Sequence, residues 1–429
     1  MKKILITLGF GTLPFLLFAQ TGHIMQGIGA KNMSMGGAAT AQPIDINGAL
    51  QWNPAAIAAF DTKIVSVNAG LFFSSPELSS TVPTPGGPMS GVTKDDRGAS
   101  VMPALAMVWG KKNSKHTFGV SAFGISGFGV TFPESNSNPI NMPQSQGGFG
   151  RIQSDYQLLQ VGFTYAYKVS DKFSIGLAPT FNYSSLELAP NPLASPSPTL
   201  GYPVSNKATA LGIGGQFGVF YNSGEGIKLG ASYKTAQYFE KFDFKNTYLN
   251  GTSAPNVEFK MNYPAILSAG MGYSNKTLDA ALDYRFVNYK KTAGFEEKGW
   301  TNTFSVAGFG WENISIVSAG LQYKGIQKLP VRVGYTYSTN PISSELAFFS
   351  VPATAVIKNA FQLGFGYEFN SRTTLNAVYH HGSSSGNTSG PLLSPMLKSA
   401  SNPYGAVPGS NVSYKMTTDL IMIGLDYSF

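Results

Sequence analysis

The connections between strand-like segments constrain this chain more than any other feature. From residue 62 onward, short turns such as GKKNSK and FNSR alternate without exception with long segments rich in Pro, Ser, Asn and Gly. The long segments are Ser74–Arg97, Thr131–Ile152, Leu186–Ala208, Lys245–Pro255, Lys290–Glu312, Asn340–Lys358 and Gly382–Asn411. Short turns on one side and long loops on the other are typical of an up-and-down transmembrane barrel, whereas a soluble sandwich has no reason to keep that order.

The segments between these connections have the period-two pattern of strands with two unlike faces. In TLDAALDYRF, Leu282 and Phe286 fall on one face, and Asp283 and Arg285 fall on the other. About fourteen such segments begin near Thr62, Gly98, Lys115, Gln153, Asp171, Thr209, Gly226, Asn256, Thr277, Asn313, Leu329, Asn359, Ser371 and Val412. The sequence therefore predicts an all-β fold, a transmembrane antiparallel β-barrel of about 14 strands over residues 62–429.

A Gly-x-x-Tyr tetrad recurs along the barrel region. It occurs at Gly162/Tyr165, Gly230/Tyr233, Gly270/Tyr273, Gly320/Tyr323, Gly334/Tyr337, Gly364/Tyr367 and Gly424/Tyr427. In five of the seven, the tyrosine stands just before a short turn or the chain end. Tyrosines at that level predict an aromatic girdle at the periplasmic membrane interface.

The N-terminus has the pattern of an export signal. Lys2 and Lys3 precede an apolar run from Ile4 to Phe18, so we expect a signal peptide over residues 1–20. Charged residues make up only 12% of the chain, and no internal run approaches the ~20 apolar residues that a spanning helix requires. We therefore expect a protein of the bacterial outer membrane, with membrane lipid and lipopolysaccharide as neighbours.

Several other classes of function are disfavoured. The net charge of +8 comes from scattered lysines and arginines, so nucleic acid is not an expected partner. The chain has no cysteine, and the adjacent His380 and His381 point to opposite faces of a strand, so we expect no metal site. No Ser/His/acid constellation is apparent, and we predict neither an enzyme nor a cofactor.

Residues 21–61 lie outside the strand pattern and are rich in small residues. Glycines and alanines such as Gly36, Gly37 and Ala38 permit close packing against a barrel wall, and Pro54 can begin a short helix. A barrel of about this strand number has a wide lumen unless something fills it. We predict that this segment is a hatch, a plug folded inside the lumen, although an unstructured periplasmic tail is the alternative.

The stretch MSMGGAATAQPIDINGALQWNPAAIAAF resembles the hatch of the FadL/TodX family of outer-membrane transporters for hydrophobic compounds. The matching gate residues are Trp52, Asn53, Pro54 and Ala55, and LPVRVGYTYSTNPIS and the closing strand also agree in order. The resemblance implies a plugged barrel of fourteen strands that takes up long-chain fatty acids or aromatic hydrocarbons passively. It also implies a kink in the third strand for lateral release, and Gly124, Gly127 and Gly129 are the candidates here.

The same resemblance points to two long loops as the site of first capture. Their apolar residues are Phe132, Met142, Phe149, Leu186, Leu188 and Leu193. From the alternation, Lys228, Arg285 and Arg332 are basic residues that face the lumen, either to bind a carboxylate or to form internal ion pairs. Fatty acid and neutral hydrocarbon both remain open as ligands, and we expect a monomer. The alternative functions are a general porin and a surface adhesion or structural barrel.

Overall fold

Fourteen antiparallel strands form a closed barrel in the computed structural model, which describes residues 23–429. The signal-peptide prediction for residues 1–20 lies outside the described residues. The strands are β1 (Lys63–Val82), β2 (Ala99–Trp109), β3 (His116–Phe132), β4 (Ile152–Lys168), β5 (Phe173–Ala189), β6 (Ala208–Asn222), β7 (Ile227–Lys234), β8 (Ile266–Ser274), β9 (Leu278–Val287), β10 (Ile314–Tyr323), β11 (Val331–Ser338), β12 (Asn359–Glu368), β13 (Thr373–Ser383) and β14 (Asn411–Ser428). Neighbours in the chain are neighbours in the sheet, and β1 pairs with β14 from Ile64↔Ser428 to Thr81↔Asn411. The predicted fold class is confirmed.

The two faces of the wall follow the alternation in the sequence. Outward positions such as Leu71, Phe163 and Ile213 are exposed apolar side chains, as a surface in contact with lipid requires. Inward positions such as Asp283 and Gln362 are polar and buried. No helix within residues 23–429 is long and apolar enough to cross a membrane.

Several strands extend further on the extracellular side than we predicted. Ser74–Arg97 is not a loop, because β1 continues to Val82 and pairs with a short strand, Met89–Lys94. β5 likewise continues to Ala189, beyond the predicted loop start at Leu186. The predicted strand start at Asn256 is wrong, because that residue belongs to a strand outside the barrel and β8 begins at Ile266.

The long connections carry their own short elements. The strands are Val204–Ser205, Tyr238–Phe239, Phe242–Thr247, Ser253–Phe259 and Thr388–Gly390, and the 3-10 helices are Pro139–Asn141, Gln144–Gln146, Tyr289–Lys291, Ser344–Ala353 and Pro395–Leu397. Phe242–Thr247 is the middle strand of a three-stranded sheet above the barrel. These elements cover the extracellular mouth.

The segment from His23 to Phe60 lies inside the lumen and is almost wholly buried. It forms two helices, α1 (Ala30–Met33) and α2 (Ile46–Trp52), and a 3-10 helix, Pro54–Ala59. Asp45 caps α2 by accepting a hydrogen bond from the Gly48 amide. We call this segment the hatch.

Charge is distributed unevenly between the two ends of the barrel. Without Lys2 and Lys3, the formal net charge of +8 becomes +6. The short turns and the strand ends beside them, which we call the periplasmic rim, carry ten basic side chains: Lys63, Lys111, Lys112, Lys115, Lys168, Lys172, Lys276, Lys324, Lys328 and Arg372. They carry four carboxylates: Asp61, Asp171, Glu225 and Glu368. The rim thus has a net side-chain charge of +6, and the rest of the described chain is close to neutral.

Candidate functional site

Asn53 joins the hatch to the barrel wall. Its side-chain amide donates to the carbonyl of Thr40 in the hatch at 2.7 Å and to the carbonyl of Val219 in β6 at 2.9 Å. Its side-chain oxygen accepts from the amide of Ala55 at 3.1 Å, which caps the 3-10 helix that begins at Pro54. The amide of one side chain therefore fixes three backbone groups, which only asparagine or glutamine can do.

Glycines of the wall make room for the hatch. A Cβ atom on Gly176 would lie 2.3 Å from the Ala55 nitrogen, and one on Gly218 would lie 2.0 Å from the Asn53 side-chain oxygen. A Cβ on Gly334, the glycine of one Gly-x-x-Tyr tetrad, would lie 2.1 Å from the Gly36 nitrogen. The glycines of the tetrads at Gly230, Gly270, Gly320, Gly364 and Gly424 also approach hatch atoms or wall side chains this closely, while the seven tyrosines face outward. Five of the seven tetrads thus combine a glycine next to the hatch with a tyrosine on the lipid side.

Two of the basic residues that we predicted to face the lumen are fully buried there. The guanidinium carbon of Arg285 lies 3.8 Å from the centre of the Trp52 ring, and Arg285 forms an ion pair of 2.7 Å with Asp283. Arg332 donates to Gln322 at 2.6 Å and to Asn376 at 3.2 Å. Glu368, which the alternation places on the same inward face, is exposed and forms no ion pair with Arg332.

Lys228 lies in the lumen beside the hatch and is half-buried. Its ammonium donates to the side-chain oxygen of Gln42 at 3.2 Å. Lys234, further along β7, is fully buried and donates to Gln160 at 3.1 Å. Both lysines therefore contact hatch side chains, Lys228 that of Gln42 and Lys234 that of Gln51 at 3.4 Å.

The barrel wall has a gap between β2 and β3, which we call the window. β2 pairs with β3 only as far as Ala104↔Phe123, so Ala99–Pro103 pairs with β1 alone. On the other side of the gap, a bulge interrupts the pairing of β3 with β4 between Gly124 and Ser126. A cavity of about 820 Å³ opens here, and Pro103, Gly124, Gly127 and Gly129 are among its lining residues. The three glycines that we selected therefore lie along one edge of the window.

Arg97 crosses the extracellular end of the window. It donates to the Asp155 carboxylate at 2.6 Å and to the Ser154 carbonyl at 2.9 Å, both in β4. Its path runs over Gly129, where a Cβ atom would lie 1.3 Å from the Arg97 Nη1 atom. Gly129 is therefore needed for the passage of this side chain, which is a different reason from the strand kink that the resemblance implied.

The first described residue of the hatch, His23, lies in a group of six aromatic side chains. This aromatic cage consists of Phe128, Tyr156, Tyr263, Tyr289, Phe295 and Trp311, whose ring centres are 4.9–6.4 Å from the imidazole centre. Nδ1 of His23 lies 2.8 Å from the Tyr289 hydroxyl. Burial lowers the pKa of His23 to about 3, so the ring is neutral.

The backbone around His23 is attached to the bulge of β3. The His23 carbonyl accepts hydrogen bonds from the Gly127 amide at 3.2 Å and from the Ser126 hydroxyl at 2.8 Å. The Met25 amide donates to the Ile125 carbonyl at 3.0 Å. Because Phe128 and Tyr156 line both the aromatic cage and the window cavity, His23 lies directly beside the window.

A second apolar site, the outer pocket, lies among the extracellular loops. Its volume is about 50 Å³, and it is lined by Ile140, Phe149, Tyr202, Trp300, Phe348, Phe349 and neighbouring residues. Residues 351 and 352 also line this pocket, whereas residues 354 and 355 line the window cavity. A five-residue segment therefore separates the outer pocket from the window cavity.

The six residues that we predicted for ligand capture do not form one surface. Phe149 lines the outer pocket, while Met142 and Leu193 are half-buried in loops nearby. Placing Phe132, Leu186 and Leu188 on exposed loops was wrong: they lie at inward positions on extended strands, and all three are buried in the core. The strands extend past the membrane, so these side chains close the lumen from above.

Sequence reasoning missed other residues of the site. Trp300, Phe348 and Phe349 are aromatic residues in long polar loops, and the reasoning that selected Phe149 applies equally to them. Nothing in the sequence indicated His23 or Arg97, because their roles depend on contacts with residues more than 50 positions away in the chain.

A closed barrel with an internal hatch, a gap in its wall and a cavity at each end of the segment 351–355 defines a class of protein: an outer-membrane barrel that is plugged at its centre and open at its side. The chain belongs to the outer membrane protein transport family (OMPP1/FadL/TodX), whose model matches residues 22–423. The resemblance to the FadL/TodX family is thereby confirmed.

Solved structures show the same fold at low sequence identity. The P. putida toluene transporter TodX has a TM-score of 0.68 and 17% identity, over 94% of this chain and 99% of its own. A Pseudomonas aeruginosa FadL homologue has a TM-score of 0.72 and 16% identity, over 95% and 100%. The Ralstonia pickettii toluene transporter TbuX has a TM-score of 0.62 and 18% identity, over 94% of this chain and 99% of its own. Among curated proteins, none matches the chain.

Proposed function

We propose that this protein takes up small hydrophobic molecules passively across the outer membrane. A ligand enters the outer pocket, passes the segment 351–355, reaches the aromatic cage and leaves through the window into the membrane. Family membership supports this route, and so does the continuity of the aromatic cage with the window cavity through Phe128 and Tyr156. The route requires no energy source, because an apolar molecule is more stable in the membrane than in water.

The aromatic cage is the observation that favours one ligand class. Its six side chains are aromatic and carry no charge, and they surround a neutral ring, His23. Stacked and edge-to-face contacts of this kind favour a flat aromatic molecule. We therefore propose a neutral aromatic hydrocarbon as the preferred ligand. Arg285, Lys228 and Arg332 would then have structural roles in holding the hatch, as their contacts with Trp52, Gln42, Gln322 and Asn376 support.

The remaining expectations follow from the same proposal. No step of the route breaks a covalent bond, so we propose a transporter without catalytic activity. The barrel closes on itself through β1 and β14, so the strand edges at the closure are paired and not available to a partner, which supports a monomer. Trp52, Asn53, Pro54 and Ala55 belong to the gate, because Asn53 fixes the hatch to β6.

Uptake by a strain that has this protein as its only hydrophobic-compound transporter tests the proposal. We expect radiolabelled toluene to enter faster than in the strain without the protein, and oleate to enter more slowly than toluene. The variant Phe128→Ala removes one ring between the cage and the window, and it should reduce toluene uptake. Equal rates with and without the protein for both compounds would contradict the proposal, whereas faster oleate would overturn the ligand class alone.

A further inference from the structure

The periplasmic rim has a charge that the transport route does not use. Its ten basic side chains outnumber its carboxylates by six, which is the whole net charge of the chain beyond Lys2 and Lys3. The extracellular loops and strand ends are almost balanced in charge. A solvated surface needs no such separation, and the separation points to a partner at one end of the barrel.

The basic side chains of the rim are available for contacts. Within residues 23–429, only one of the ten, Lys324, forms an ion pair, and its partner Asp279 faces the lumen. Lys111, Lys112 and Lys115 lie in one six-residue turn and are all exposed. Lys276 and Arg372 are exposed in two other turns. The charge is therefore spread around the circumference.

The basic side chains also lie at a defined depth relative to the membrane. Tyr165 precedes Lys168 by three residues, and Tyr273 precedes Lys276 by three, and both tyrosines face the lipid. Outward tyrosines mark the interface of the bilayer. We therefore expect the ammonium groups just beyond them to lie at the level of the phosphate groups of the periplasmic leaflet.

We propose that the periplasmic rim binds the phosphodiester headgroups of anionic phospholipids, such as phosphatidylglycerol, in the periplasmic leaflet. A lysine near a strongly anionic membrane surface contributes about 1 kcal/mol, or roughly fivefold in affinity, and several lysines in one turn act on the same lipids. The balanced extracellular end offers no comparable attraction to an anionic headgroup. This inference does not depend on the transported ligand.

Trp109 provides a probe for this site. It lies at the end of β2, two residues before Lys111, and is 38% exposed on the lipid side. The other three tryptophans, Trp52, Trp300 and Trp311, are buried. Bromine on a lipid chain quenches tryptophan fluorescence at short range, so brominated lipid reports mainly the lipid beside Trp109.

The experiment uses the full-length mature protein in phosphatidylcholine vesicles that contain one fifth of a brominated lipid. We expect brominated phosphatidylglycerol to quench more strongly than brominated phosphatidylcholine, and added salt should reduce the difference. The triple variant Lys111→Gln, Lys112→Gln, Lys115→Gln should lower the preference for phosphatidylglycerol at least about twofold.

A matched triple variant on the extracellular side is the control. Lys245, Lys260 and Lys291 are exposed and form no ion pair within the described part of the chain, and their replacement by glutamine should leave the preference unchanged. Equal quenching by the two brominated lipids would overturn the proposal and leave an acidic protein or cell-wall polymer as the partner. An equal loss of preference in both triple variants would also overturn it, because net charge alone would then explain the effect.

Discussion

At the scale of single residues, His23 shows how one side chain connects the hatch with the wall. Its ring fills the aromatic cage and its carbonyl binds the bulge of β3. Because the imidazole fills the cage, a ligand ring could enter only if His23 moved out, and that movement would put the backbone contacts beside the window at risk. His23 therefore competes with the proposed ligand for one site.

The docking of His23 should depend on pH. Its pKa is lowered from 6.5 to about 3 by burial, so the docked segment binds fewer protons than the released one. Docking is thus fully stable above pH 6.5 and weakens as pH falls through 6.5 toward 3, by about tenfold per pH unit. We expect the protection of the Met25 amide from hydrogen exchange, corrected for intrinsic rates, to fall about tenfold between pH 7.5 and 5.5.

The variant His23→Phe is the control for this prediction, because phenylalanine stacks in the cage but does not titrate. Protection in this variant should not change over the same range. The hatch contains one other group with a shifted pKa, Asp45, where burial and the nearby Asp426 raise the pKa to about 6. Acidification favours the buried state of Asp45, which is the opposite direction. A pH dependence that persists in His23→Phe would show that another group is responsible.

At the scale of elements, the position of a glycine on a strand decides whether the hatch can pack. β6 offers a direct comparison, because a Cβ on Gly218 would lie 2.0 Å from the Asn53 oxygen, whereas one on Gly215 meets only the Ala178 carbonyl at 3.6 Å. We expect Gly218→Ala to displace Asn53 and to weaken hatch docking by about 1–3 kcal/mol. Gly215→Ala should have little effect. Hydrogen exchange over residues 46–58 measures hatch docking in the two variants, and equal exchange rates in both would contradict the prediction.

The window permits a second comparison of this kind. Gly129→Ala would displace Arg97 from Asp155, whereas a Cβ on Gly124 meets only Pro103 atoms at 3.9 Å. An ion pair at a partly exposed site contributes up to about 1 kcal/mol, or roughly fivefold. Because Arg97 would then no longer cross the window, we expect Gly129→Ala and Arg97→Gln to raise the uptake of the larger molecule biphenyl relative to toluene, by at most about fivefold. Gly124→Ala should leave this ratio unchanged. The same ratio in Gly124→Ala and Gly129→Ala would exclude this role of Arg97.

The sequence predicted elements better than contacts. Thirteen of the fourteen barrel strands begin within a few residues of the predicted starts, because period two and turn composition are local signals. The predicted strand start at Asn256 was wrong because a strand outside the barrel has the same local pattern. The loop positions of Leu186 and Leu188 failed because the strands continue beyond the membrane, where no change of composition marks the boundary. The sequence predicted a kink in β3 but not the window. The gap depends on where β2 stops pairing with β3, and the glycines of β3 carry no information about β2.

At the scale of the whole molecule, the hatch distinguishes a transporter of apolar molecules from a general porin. The hatch is buried from His23 to Ala58 except at Lys31, Pro43 and Ile44, which are partly exposed, and its contacts reach β6, β9 and β11. We expect the purified protein to show little or no steady ion conductance in a planar bilayer. A variant without residues 23–60 should form an open channel, because the lumen of a barrel of this size is wide enough for water. A steady current through the intact protein would support the porin alternative.

The order of contacts around the hatch has a consequence for biogenesis. Hatch residues precede all the barrel strands in the chain, yet the wall glycines that they contact include Gly320, Gly334 and Gly364 in its last third. The hatch cannot reach its final packing until the last third of the chain has arrived and β14 has paired with β1. A segment that precedes every barrel strand in the chain is therefore expected to be the last to pack, after the sheet has formed around it.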